Sequence, residues 1–133
     1  MTNDRRMADP VAVTVKPLGR SGGDLVCSIT GGSVDGGVLE LSKGRAHRLT
    51  FHLVPGKVDG IEFADGDCFC SSLTGCPDSG DTTDQFPAGC AQTPNGNTLI
   101  VEGGPGTADL VHYAIQFTDG TGTLSWDPII VNG

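Results

Sequence analysis

Apolar and polar residues alternate with a period of two along most of this chain. Val11, Val13 and Val15 interleave with Ala12, Thr14 and Lys16, the pattern of a strand with one buried face. Pro17 and the glycine-rich stretch 19–23 are expected to end that strand. Leu25, Cys27 and Ile29 share one face of a second segment, and Leu39 and Leu41 continue the alternation through Val38–Ser42. Leu49, Phe51 and Leu53 then oppose Arg48, Thr50 and His52, and a short Ile61–Phe63 strand follows Pro55-Gly56. Further on, Thr98–Glu102 is a brief apolar run. Val111, Tyr113, Ile115 and Phe117 alternate with His112, Ala114, Gln116 and Thr118 in the most regular strand, and Asp119-Gly120-Thr121-Gly122 turns the chain into Leu124–Trp126 and then Ile129–Val131.

No window carries apolar residues at helical spacing over helical length. The pattern therefore predicts an all-β protein of about seven or eight strands, most economically an antiparallel two-sheet sandwich. Residues 1–10 read as a polar N-terminal arm and 11–133 as a single sandwich domain. Between residues 64 and 97 the alternation stops in a Cys/Asp-rich stretch, which is expected to be a long loop insertion lying outside the sandwich. Twenty-one glycines and eight prolines fit short elements joined by tight turns.

Charge narrows the partners. All eight Lys and Arg residues lie at or before Lys57, so the first part of the chain carries about +3 and the remainder about −11 at neutral pH. A net charge of −8 with no basic cluster argues against nucleic acid, and no run of eighteen apolar residues exists for membrane insertion. The expected partner is protein, including a second copy in a homo-oligomer or head-to-tail assembly steered by the charge polarity. The N-terminal residues form no apolar stretch of signal length, so the expectation is cytoplasmic if Met1 is native and exported if a signal peptide was removed.

Candidate chemistry concentrates in the 64–97 segment. Cys68, Cys70, Cys76 and Cys90 form two disulfides in an oxidising compartment, close a zinc site in a reducing one, or remain thiols. The Cys-x-Cys spacing is poorer for zinc than Cys-x-x-Cys. Asp65, Asp67, Asp78, Asp81 and Asp84 supply oxygen ligands of the kind calcium takes, without EF-hand spacing. His52 and His112 lie on the polar sides of their strands; with Cys68 or Cys70 they would make two imidazoles and a thiolate for copper, and His47 is the third histidine. Cys27, in register with Leu25 and Ile29, is expected in the core. No Gly-x-Ser-x-Gly elbow and no phosphate-cradling glycine motif occurs.

The stretch Tyr113–Asn132, with its alternating strand, Asp-Gly turn and Trp126-Asp-Pro-Ile129 bend, resembles the closing hairpin of small bacterial β-sandwich proteins of immunoglobulin-like or cupredoxin-like topology. That resemblance implies the fold class and no particular activity. The expected function is a non-catalytic binding or self-assembling structural module without a cofactor. The alternative is a zinc- or copper-binding protein using the Cys-rich loop.

Overall fold

A computed structural model describes residues 8–64, 68–77, 81–87 and 97–133. Its described residues contain no helix, and hence none long and apolar enough to cross a membrane. Among the described residues, eleven strands form one continuous hydrogen-bonded sheet. In chain order they are β1 (Asp9–Ser21), β2 (Asp24–Thr30), β3 (Val34–Asp35), β4 (Val38–Leu41), β5 (His47–Leu53), β6 (Glu62–Phe63), β7 (Phe69–Ser72), β8 (Thr98–Gly103), β9 (Leu110–Thr118), β10 (Thr123–Trp126) and β11 (Ile129–Asn132). The spatial order is β3-β4-β11-β9-β10-β2-β1-β5-β8, with β6 and β7 on the remaining side of β9.

The sheet is mixed, which corrects the antiparallel expectation. β1 runs parallel to β5 from Asp9 opposite His47 to Val15 opposite Leu53. β11 runs parallel to β4, and β10 meets β2 in parallel at Ser125 and Asp24. Alternation reports which face a side chain takes; it carries no information on the direction of the neighbouring strand, which depends on how the chain returns from afar.

The strands also differ from expectation in number and in bounds, for local reasons. β1 does not stop at Pro17: it passes a bulge between Pro17 and Gly19 and pairs with β2 as far as Ser21. It also begins at Asp9, inside the expected arm. β7 lies within the segment expected to stand outside the sandwich. Phe69, Cys70 and Ser71 are consecutively buried, so a strand covered on both faces shows no period of two.

Elsewhere the inward set follows the alternation closely. Val13, Val15, Leu49, Phe51, Leu99, Val101, Tyr113, Ile115 and Phe117 are all fully buried. Phe51 on β5 lies 6.1 Å from Tyr113 on β9, although β1, β2 and β10 intervene along the ladder. Phe69 on β7 reaches both rings, at 6.3 Å to Phe51 and 5.5 Å to Tyr113, and Trp126 meets Tyr113 edge-on at 6.0 Å. Strands far apart on the hydrogen-bonded path are thus joined by ring contacts, each adding about 0.5–1.5 kcal/mol beyond the area it buries.

Phe51→Ala should therefore cost about 3–5 kcal/mol in urea unfolding. His52→Ala, one residue on and facing solvent, should stay within about 0.5 kcal/mol of the parent. Equal effects would mean that the inward face of β5 has been misassigned.

Candidate functional site

The cysteines occupy three different environments. Cys68 and Cys70 are buried, Cys68 within the apolar core and Cys70 with its Sγ 3.8 Å from the carbonyl oxygen of Ala114. Cys76 is exposed. No disulfide links two of the described cysteines, and no group of three or more His, Cys, Asp or Glu is placed to hold a metal among the described residues. Cys90, Asp65, Asp67 and Asp78 lie outside the described residues. His52 on β5 is exposed and His112 on β9 half-buried, on strands that do not neighbour each other in the sheet. Cys27 is half-buried against the core, and desolvation pushes its thiol up to about 12.

Instead of projecting outward, the segment 81–87 ties two parts of the sheet together. The Ser71 N–H donates to the Asp81 carbonyl, and the Ser71 and Thr83 hydroxyls lie 3.0 Å apart, so this segment lies along β7 on the side away from β9. At its far end the Gly104 N–H donates to the Gln85 carbonyl, just past β8. The Gln85 and Asn132 side-chain amides are buried and exchange two hydrogen bonds, at 2.8 and 3.2 Å, while Asn132 Nδ2 also donates to the Ala108 carbonyl. Glycine is required beside this pair: a Cβ on Gly106 would fall 2.5 Å from Gln85 Oε1, and one on Gly103 would fall 2.6 Å from the Phe86 ring. The cavity of about 460 Å³ between Ser71–Leu73 and Asp81–Asp84 is open and polar apart from Leu73.

β8 is the outermost strand at this end of the sheet and pairs only with β5 among the described strands. Its hydrogen-bonding phase follows from its neighbours. The Val54 N–H donates to the Val15 carbonyl on β1, whereas the Leu53 N–H donates to the Asn97 carbonyl. Odd-numbered residues of β5 therefore face β8, and odd-numbered residues of β8 face β5. Thr98, Ile100 and Glu102 consequently direct their backbone N–H and C=O groups outward, in phase with Gly104, whose N–H takes the Gln85 carbonyl. Ile100 is 37% exposed on the solvent face, and Arg48 bonds Glu102 at 2.7 Å across the β5–β8 ladder. By contrast, the corresponding stretch of β1 is closed: its even-numbered residues face away from β5, Pro10 has no N–H to offer, and Gly31 abuts the Ala12 carbonyl.

Ion pairs absorb the charge polarity of the chain. Arg20 bonds Asp119 at 2.8 Å, Lys43 bonds Asp109, and Arg48 bonds Glu102, each joining the basic first part to the acidic remainder. Asp119 Oδ1 also accepts from Thr121 and Gly122 within its turn; these bonds and Arg20 hold its carboxyl far below the usual carboxylate range. Arg45 grips Asp9 through both carboxylate oxygens and lowers its pKa. Beside them, at the start of β5, His47 is buried, and desolvation lowers its pKa although Asp9, 4.0 Å away, opposes the shift.

Neither the edge position of Thr98–Glu102 nor the Gln85–Asn132 pair is apparent from the alternation of the sequence. Glycines at 103, 104 and 106 were the available signal for close backbone approach. Comparison with known proteins gives no matching family model and no matching curated protein.

Asn132→Ala should cost about 1–3 kcal/mol, because it leaves Gln85 and the Ala108 carbonyl unsatisfied in a buried site. Amide exchange at Gly104 should quicken with it, as the Gln85 end of the segment loosens. Acid stability supplies a second check. A lowered His47 pKa means that the unfolded chain takes up a proton first, so stability falls as pH drops below about 6.5. The lowered carboxylates Asp9, Asp109 and Asp119 stabilise above the unfolded carboxylate pKa, and that stability is lost as pH falls through their folded values. In urea unfolding across pH, His47→Gln should flatten the decline between about pH 6.5 and 5 and leave the carboxylate-driven loss in place.

Proposed function

We propose that this chain is a non-catalytic binding and assembly module, a two-layer sandwich that recruits an extended protein segment to the outer edge of β8. The observation that carries this reading is the row of backbone groups at Thr98, Ile100 and Glu102, directed away from β5 with no described strand beside them. An incoming strand satisfies such a row with its main chain and takes its specificity from alternate side chains.

The layered arrangement is supported by the Phe51–Tyr113 and Phe51–Phe69 ring contacts, which hold β5 over β9 and β7 although they are far apart along the ladder. Together with the Tyr113–Asn132 hairpin, it favours an immunoglobulin-like or cupredoxin-like topology. The non-catalytic reading draws support from the sequence, which lacks nucleophile-elbow and phosphate-cradle motifs, and from the placement of His47, His52 and His112 at separate positions on β5 and β9. The cross-fold ion pairs leave charge steering a smaller part in assembly than the sequence polarity implies.

Amide hydrogen exchange on the dilute protein tests the edge directly. The Leu99 and Val101 amides, directed at β5, should be strongly protected, while those of Ile100 and Glu102 exchange fast. Uniform protection from Leu99 to Glu102 would mean that the chain already fills its own edge, and the proposal would fall.

A further inference from the structure

The occupant of the β8 edge follows from the edge itself. We infer that it is β8 of a second copy, paired antiparallel about a two-fold axis at Ile100; this rests on the reading of β8 as a strand-accepting edge.

Three observations select that occupant and register. The outward row Thr98, Ile100, Glu102 is self-complementary when reversed: Ile100 opposes Ile100, and Thr98 opposes Glu102. Antiparallel pairing in this phase forms about six backbone hydrogen bonds between the copies. It also sets the two exposed Ile100 side chains against each other on one face and continues the buried Leu99–Val101 row on the other. Charge disfavours one neighbouring register. Glu102 is the only ionisable residue of β8. Centring the axis on Glu102 would place two carboxylates face to face, whereas centring it on Ile100 gives each a threonine hydroxyl and leaves its Arg48 pair in place.

The same edge limits the assembly. The Gln85 carbonyl already holds the Gly104 N–H, so pairing stops at Glu102. β3, at the opposite end of the sheet, has two residues and is followed by Gly36-Gly37, too short to template another strand. Among its described strands each copy therefore offers one long edge, and using it closes a dimer rather than a fibre. With so few strand residues engaged, the interface belongs to the small, concentration-dependent class.

A charge exchange at the axis tests the register. Ile100 is on the solvent face, so Ile100→Lys and Ile100→Glu should both fold, as circular dichroism will verify. In sedimentation at low ionic strength the parent protein should approach twice the 13.6 kDa chain mass as concentration rises. Each variant alone should associate at least tenfold more weakly, since like charges then meet at the axis, and an equimolar mixture should recover the dimer as a heterodimer. Ile100→Pro, which removes an outward N–H and leaves the ladder to β5 intact, should be monomeric. Variants that dimerise as the parent does, or a mixture that stays monomeric, would overturn the register. A parent monomeric at every concentration, with fast exchange at Ile100 and Glu102, would overturn self-pairing and leave the strand-accepting edge standing; uniform protection along β8 would overturn both.

Discussion

Both edges of β9 are occupied along its length, and much of the structure depends on that. On one side its odd-numbered residues meet β10 and β11, with the Tyr113 N–H donating to the Pro128 carbonyl where the bend between those strands passes. On the other side the even-numbered residues meet β6 and β7, with the Gln116 N–H donating to the Cys68 carbonyl. A strand with partners on both edges and side chains packed beneath it has little freedom to slip, because a one-residue shift would exchange Tyr113, Ile115 and Phe117 for His112, Gln116 and Thr118 in the core. Ala114, small and opposite Cys70, is the position where the outer face is also covered.

From that strand the sheet divides. One arm leads through β11 to β4 and β3; the other crosses a narrow junction, where Ser125 meets Asp24, into β2, β1, β5 and β8. So narrow a junction gives little backbone stiffness, and the Arg20–Asp119 ion pair helps to pin it from outside. Aromatic rings do the same from inside, since Phe51 lies beyond that junction while Tyr113 lies on β9 itself and Phe69 on its neighbour β7. The segment 81–87 then spans the remaining gap, from β7 to the end of β8, through Ser71, Gln85 and Asn132. This closure stops at Gly104, which leaves the three outward-facing residues of β8 with no described strand beside them.

Most strands with one wet face are legible in the sequence. β5 and β9 follow it residue by residue, as does the Asp119–Gly122 turn, where the Asp119 carboxylate collects the turn amides. β7 is not legible in this way, because burial on both faces erases the period that marks a strand. Pro17 reads locally as a terminator, although a bulge there lets β1 continue, and the Cys/Asp-rich segment reads as an insertion outside a fold into which Cys68, Phe69, Cys70 and Phe86 are in fact packed. The candidate metal ligands were legible as residue types, but their positions depend on contacts between strands that no local spacing encodes.

By itself, then, the chain determined an all-β fold, the inward side of each half-buried strand and the main turns, because these depend on side-chain polarity and glycine placement over a few neighbouring residues. Tertiary structure alone decided the parallel pairing of β1 with β5, the cross-fold ion pairs, the burial of Cys68 and Cys70, and the outward phase of the β8 backbone at Ile100. Each of these depends on which distant segment comes to lie alongside, and that choice is made by the closure of the whole core rather than by any stretch of it.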